Sequence, residues 1–399
     1  MLVLKSNNIY TEEGKLSGFI QIENDRIYDI VKEYNGEYVD YSDKIIIPGI
    51  IDVHNHGFGG YSMTDPATID DVKGYAKALT SIGVTTVLPT AKEDAFEAVA
   101  DCMDEKYTGA RILGIHSEGP FWARGGEKTI GAVYPLPDIE ETKRLIKRAK
   151  NRMKVMAIAP ELPLADEVIK LLHRENIKVA ACHTKGNYEQ ITRVNETCQY
   201  DIVTHLGNGM QGLHHRDVGA LGAFLLADNV YYEIITDLNH ICKEMLRIFF
   251  KLQPYDKFVL ISDSNFMAGL PVGTYMRYGR EMYSNEKGLI LNSDGRICGS
   301  GKWVLHNMKQ LVNEVGVDMY NVVRMSSLNP ARYLNVDNDL GSIKIHKKAD
   351  LAVIDDDFNC LYTYIDGQLV YDHNVDTKDK IFNAEAMKKK VSDECELKK

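Results

Sequence analysis

The chain has only seven cysteines, at positions 102, 182, 198, 242, 298, 360 and 395, and no Cys-x-x-Cys. An odd count without that spacing points to neither a disulfide framework nor a cysteine metal site. A reducing compartment suits such a chain, which is expected to be cytoplasmic. The first residues, Met-Leu-Val-Leu-Lys-Ser-Asn-Asn, hold no long apolar run after a basic start, so no signal peptide is expected. Uncharged apolar runs of about 18 residues are absent, so no membrane span is expected. Basic residues are outnumbered, 47 Lys and Arg against 57 Asp and Glu, for a net charge of -10. That balance argues against a nucleic-acid surface and for a soluble, acidic protein. Internal repeats and low-complexity tracts are also missing.

What is present is length and a large apolar share. The chain has 399 residues, 44% of them hydrophobic, which suits a large barrel plus an appendage. Residues 1–47 read as short strands, with a hairpin signal at Asn24-Asp25 between two alternating runs. From Ile47 the rhythm changes to strand, then helix. Eight apolar strand candidates lie near Ile50–Val53, Val84–Leu88, Arg111–Ile115, Val155–Ile158, Val179–Ala181, Asp201–Val203, Val230–Ile235 and Phe258–Ile261. Helices are expected between most of them, near 69–81, 95–106, 139–152, 165–174 and 241–252. Eight β-α units imply a parallel sheet closed into a (β/α)8 TIM-type barrel over residues 48–336. No Gly-x-Gly-x-x-Gly follows the first strand to favour an open doubly wound sheet. After Asp337 strands return. Residues 337–382 are expected to join residues 1–47 in one small β-sandwich domain built from both chain ends. Residues 383–399 form a charged tail, expected as a loose helix or disordered.

In such a barrel the reacting groups come from the C-terminal ends of the strands. The first strand ends in His54-Asn55-His56. Alternation points His54 and His56 the same way and Asn55 away. The third ends in His116-Ser-Glu118, the fifth in His183-Thr184, the sixth in Thr204-His205-Leu-Gly-Asn208-Gly209 and the eighth in Ser262-Asp263-Ser264. Imidazoles, a carboxylate and a separate Asp263 together make up the donor set of a hydrolytic metal site. Zinc and iron both suit nitrogen and carboxylate ligands. His116 is expected to be structural or to support a ligand. His173, His306, His346 and His373 fall on helices or in the β domain and are expected at the surface or in a core. Lys154 begins its strand and is a poor candidate for a bridging carboxylated lysine.

Several stretches resemble N-acetylglucosamine-6-phosphate deacetylases of the amidohydrolase superfamily. They are Pro48-Gly-Ile-Ile-Asp-Val-His-Asn-His-Gly, His116-Ser-Glu-Gly-Pro-Phe, Thr204-His-Leu-Gly-Asn-Gly-Met210, Leu213-His-His-Arg-Asp-Val-Gly219 and Leu328-Asn-Pro-Ala-Arg332. The resemblance covers nearly the whole chain. It implies a metal-dependent barrel with one or two divalent metals per subunit, a homodimer, and an amino-sugar phosphate substrate. Glu118, His183 and His205 match the ligands of the metal found throughout that family. His54 and His56 match a second site that some members lack, and Asp263 matches the catalytic acid/base. Substrate contacts are implied at Ala132, Asn208, Gly209, Arg216 and His240. Arg216 is expected to hold the phosphate, with His240 of a neighbouring subunit helping.

The sequence also departs from that pattern. Val133 stands where the family commonly has a substrate-contacting His, with His214 or a second metal as possible compensation. Gly207 and Gly209 flank Asn208 in place of Phe and Ala, and Asp237-Leu-Asn-His240 replaces Asp-Gly-x-His. The expected reaction is removal of the acetyl group from N-acetylglucosamine 6-phosphate. The alternatives are another N-acyl substrate, such as N-acetylgalactosamine 6-phosphate, or a catalytically inactive binding barrel.

Overall fold

The computed structural model describes residues 1–125, 133–277, 280–388 and 390–392. Eight parallel strands form its centre: Ile50–Asn55, Val84–Ala91, Ile115–Glu118, Met153–Ile158, Lys178–Ala181, Ile202–Val203, Tyr231–Ile234 and Phe258–Leu260. Each pairs with the next in the chain, from Ile50 against Val84 round to Ile234 against Leu260. The ring closes just past the eighth strand. There the amide of Asp263 donates to the carbonyl of His54 at 3.0 Å, and the amide of His56 donates to that of Ser264 at 2.8 Å. The TIM-type barrel expected from the sequence is present. One boundary differs in a way that matters. The third apolar run breaks at Gly114, whose φ of 153° interrupts the strand, and pairing resumes at Ile115. The strand therefore runs on through Glu118 and delivers that carboxylate to the rim.

Alternation divides the strand residues between two cores. Ile51, Val53, Leu88, Val155, Ala157, Ala180, Ile202, Ile235 and Val259 fill the barrel interior. Ile50, Val84, Val87, Met156, Val179, Val203, Ile234 and Leu260 face the surrounding helices. Of the expected helices, the first spans Ile69–Thr80, closed at its start by a capping box between Thr68 and Asp71. Its Val72, Tyr75, Ala76 and Leu79, three and four apart, form the buried stripe. The helix Leu328–Tyr333 carries the Leu-Asn-Pro-Ala-Arg motif at the opposite end from the site. Asn329 there donates to the carbonyls of Tyr255 and Phe258, each at 2.8 Å, and Tyr333 joins the interior core.

Both chain ends enter one eight-stranded mixed sheet. The strand Ile45–Pro48 lies parallel to Leu2–Tyr10 on one side and antiparallel to Leu351–Ile354 on the other. The hairpin expected at Asn24-Asp25 is formed, with Glu23 opposite Arg26 and Asn24 at a φ of 56°. Arg111, just ahead of the third barrel strand, ties the sheet to the barrel through Asp350 and Asp366.

No strand was expected between Ser262 and Val336. The chain nevertheless forms a further antiparallel sheet there, from Gly273–Arg277, Arg280–Ser284, Leu289–Asn292 and Ile297–Ser300. Its runs are short and broken by glycines, so the period-2 signal is weak. Within the tail, Ala384–Lys388 is helical and Lys390–Ser392 pairs with Gly273–Arg277 as a fifth strand. Among the described residues no helix is long and apolar enough to cross a membrane.

Candidate active site

The strand-end residues converge on one rim of the barrel. Nε2 of His183 and Nε2 of His205 lie 3.0 and 3.2 Å from the same Glu118 oxygen, Oε1. Nε2 of His56 lies 3.3 Å from the other oxygen, Oε2. The His54 and His56 Nε2 atoms are 3.2 Å apart, and Asp263 Oδ1 lies 3.5 and 3.4 Å from them respectively. Asn55 turns away, as alternation requires, and donates to Asp52 and Ser262. Two overlapping triads, His54-His56-Glu118 and Glu118-His183-His205, are thus compact enough to hold a cation. The donor set fits a divalent metal. Three imidazole edges meet one carboxylate, and the Nδ1 atoms of His56, His183 and His205 find no hydrogen-bond partner among the described residues.

Backbone geometry supports the convergence. His183, His205 and Asp263 have φ of 42°, 31° and 47°, in the left-handed region that non-glycine residues seldom occupy. Each such residue costs about 1–3 kcal/mol unless its surroundings enforce it. For Asp263 the enforcement is visible. Its carbonyl accepts from Ser300 at 2.8 Å, and Asn265 donates to Cys298 at 2.7 Å, so the added sheet leans on this loop. A Cβ on Gly299 would lie 2.7 Å from the Asp263 carbonyl oxygen, so only glycine permits the approach. Trp122 stacks on His183 with ring centroids 4.5 Å apart.

The charges follow from this packing. Burial raises the Glu118 pKa, but hydrogen bonds from His183, His205 and His56 outweigh it and hold the carboxyl well below its usual range. Burial likewise acts on Asp263, and His54, His56 and His205 together bring it down to about 2. Both are carboxylates at neutral pH. Burial lowers His54, while Glu233, Asp263 and Glu118 more than offset it and push it up to about 10. Burial, helped by charge on His54, takes His116 down to about 4 and leaves it neutral. Its Nδ1 sits 3.0 Å from the Val53 carbonyl and its ring packs edge-on against His54, the supporting place expected for it.

Asn208, Gly209 and His240 line the same pocket as the convergent groups. His240 was expected to reach a neighbouring subunit's substrate. It lines the pocket of its own chain, because Asp237 accepts from its ring Nδ1 at 2.8 Å and from its amide at 3.0 Å and folds the turn inward. Arg216 is not in that pocket. It is exposed, its guanidinium against His215 at 2.6 Å. His214 is exposed beside it. Val133 is 92% exposed, and Ala132 lies outside the described residues. Lys154 and the side chains of His346 and His373 are exposed, and His173 pairs with Asp201, all away from the pocket.

Two residues were not anticipated. Lys92, directly after the second strand, lines the pocket and is the only Lys or Arg among its described lining residues. Glu233, in the seventh strand, is fully buried with Oε2 at 2.8 Å from His54 Nδ1. A lone acid inside Tyr231-Tyr-Glu-Ile-Ile235 was the available signal for the second. The first lay at a strand end, Thr90-Ala91-Lys92, that carries no imidazole.

A (β/α)8 barrel with imidazoles and carboxylates at five strand ends is the architecture of a metal-dependent hydrolase. The chain belongs to the amidohydrolase family, whose model matches residues 45–370. It is similar to the N-acetylglucosamine-6-phosphate deacetylase of Vibrio furnissii, 28% identical over 91% of this chain and 93% of the relative. It is also similar to the N-acetylgalactosamine-6-phosphate deacetylase of Escherichia coli O157:H7, 29% identical over 92% and 98%. Among solved structures, the N-acetylglucosamine-6-phosphate deacetylase of Pasteurella multocida superposes with a TM-score of 0.84 at 25% identity, over 92% of this chain and 99% of that one.

Proposed function

We propose that the protein hydrolyses the acetamide of N-acetylglucosamine 6-phosphate to glucosamine 6-phosphate and acetate. The observation that carries this reading is the placement of the Asp263 carboxylate within 3.5 Å of the imidazole edges that share Glu118. The names of the relatives supply the substrate class. Glu118, His183 and His205 would hold one divalent metal, zinc or iron, and His54 and His56 with Glu118 a second. Such a cation supplies Lewis-acid activation of water and of the acyl oxygen.

Asp263 does the proton work. As water adds to the acetyl carbon, the carboxylate accepts its proton. It then returns that proton to the sugar nitrogen as the C–N bond breaks, because an amide anion is a poor leaving group. Trp122 walls the pocket beside His183. His240, oriented through its Nδ1 by Asp237, presents a buried Nε2 with no hydrogen-bond partner among the described residues, free to contact the sugar. Lys92 supplies the pocket's own cation for the phosphate. Arg216 stands outside the pocket of its chain, so its proposed phosphate role requires a second subunit and goes with a homodimer. Free thiols at Cys102, Cys182, Cys198, Cys242 and Cys360 suit the cytoplasm.

The test is acetate release by the purified, metal-analysed protein. N-acetylglucosamine 6-phosphate, its galacto epimer and unphosphorylated N-acetylglucosamine are compared. Faster release from the phosphorylated gluco sugar than from the other two supports the proposal. No acetate from any of them with metal bound would overturn it, and preference for the epimer would reassign the substrate.

A further inference from the structure

The interior of the barrel holds one carboxylate that the proposed chemistry does not use. Glu233 projects from the seventh strand on the face that Tyr231 and Ile235 share, into a layer with Ile51, Val53, Ile202 and Val259. It has no solvent exposure. A charge buried among aliphatic groups is costly unless something compensates it. Compensation comes from a single contact, Oε2 to His54 Nδ1 at 2.8 Å, while Oε1 has no hydrogen-bond partner among the described residues.

That contact makes His54 unlike the other three candidate ligand imidazoles. His56, His183 and His205 also aim Nε2 at the site, yet each leaves its Nδ1 without a partner. Of these four, only His54 has its far nitrogen held by a carboxylate. An imidazole that donates Nδ1–H to a carboxylate keeps its ring orientation, and Nε2 becomes the unprotonated nitrogen whose lone pair is offered to a cation. The negative charge also makes Nε2 the better donor.

We propose that Glu233 is a positioning residue for His54, fixing the ring and its Nδ1 proton so that Nε2 is committed as a cation ligand in the group His54-His56-Glu118. This rests on the metal-dependent reading of the site but not on the identity of the substrate. The carboxylate therefore acts on occupancy of that group, while Glu118-His183-His205, which shares Glu118 but not His54, keeps its own two imidazoles.

The test uses the full chain and zinc alone. Zinc stoichiometry and affinity are measured against a competing chelator for the parent, Glu233→Gln and His54→Ala, with circular dichroism to confirm folding. Glutamine keeps the shape but loses the charge and can present an N–H to His54. The expected result is two equivalents in the parent. In Glu233→Gln one of them weakens about 10–100-fold and the other is unchanged, and His54→Ala loses the same equivalent. Nitrogen-15 NMR of histidine-labelled parent, with His54→Ala for assignment, should show a proton on His54 Nδ1. That measurement keeps the proposal testable if Glu233→Gln fails to fold. Unchanged zinc affinity in a folded Glu233→Gln would overturn the proposal, as would a bare Nδ1 in the parent. So would a parent with a single equivalent that His54→Ala leaves untouched. Acetate release separates the two ideas. Zinc binding as expected without acetate sinks the proposed function alone, whereas acetate with unaltered zinc binding in Glu233→Gln sinks this inference alone.

Discussion

Replacing Asp263 with asparagine removes one negative charge and one proton acceptor while leaving shape almost unchanged. The choice of asparagine matters because residue 263 has a φ of 47°. Asparagine tolerates that left-handed backbone nearly as well as aspartate, whereas alanine would add strain of about 1–2 kcal/mol. The hydrogen bonds that hold the loop use main-chain atoms, from Asp263 N to His54 and from Ser300 to Asp263 O, so they survive the substitution. What is lost is the carboxylate that His54, His56 and His205 stabilise. A carboxamide cannot take a proton from attacking water. Loss of general acid–base action costs about 10²–10⁴-fold, which is about 2.7–5.4 kcal/mol in barrier height at 1.36 kcal/mol per decade. The assay is initial-rate acetate release at saturating substrate, with metal content and thermal midpoint measured on the same preparation. The expected outcome is a folded, metal-bearing protein whose kcat falls by that factor. Near-parental kcat would refute the role given to Asp263. Loss of metal together with kcat would instead show that Asp263 acts as a ligand.

Alanine at Glu118, His183 or His205 should remove metal from a protein that still folds, measured by elemental analysis and circular dichroism; full retention in all three would dismiss that site. Lys92→Ala should raise KM for the phosphorylated sugar and hardly alter it for the unphosphorylated one, by about 1.5–3 kcal/mol for a lost charge-assisted bond. Arg216→Ala should do the same only if a second subunit supplies it, so equal KM in dimeric parent and variant would exclude it. Glu12 offers a pH test of the join between the chain ends. Partial burial raises its pKa, but Ser342, Lys344 and Lys347 outweigh this and hold it at about 2, below its ordinary 4.5. A depressed folded-state value means the stability gained is complete above the unfolded pKa and is lost as pH falls toward the folded one. The urea midpoint of the parent should therefore exceed that of Glu12→Gln at about pH 6, and the gap should narrow by about pH 3; a constant gap would contradict it.

Much of this protein was legible without its tertiary structure. Eight apolar runs spaced by helical segments imply a barrel, because strands buried on both faces need continuous apolar sequence and parallel pairing needs a helical return. Once the barrel is assumed, every strand's C-terminal end falls on one rim, so His54, His56, Glu118, His183, His205 and Asp263 could be assembled by reading strand ends alone. Alternation even settled that His54 and His56 point together and Asn55 does not. These are local, periodic properties, and local sequence carries them.

Ring closure decided what remained. Glu233 and His54 are 179 residues apart, and only the inward curvature of the strands sets their 2.8 Å contact across the interior. The sheet over Gly273–Ser300 escaped notice because its runs are short, yet it holds the Asp263 loop in place. His240 was expected to serve a neighbour; a two-point hydrogen bond to Asp237 turns it toward the pocket of its own chain. Arg216 is close in sequence to His205 but outside the pocket, since the loop after the sixth strand carries it to the surface. Sequence thus determined which chemical groups stand at the rim, by period and strand order. The tertiary structure alone decided which of them touch, because contact across a barrel depends on closure, curvature and loop path rather than on any local pattern.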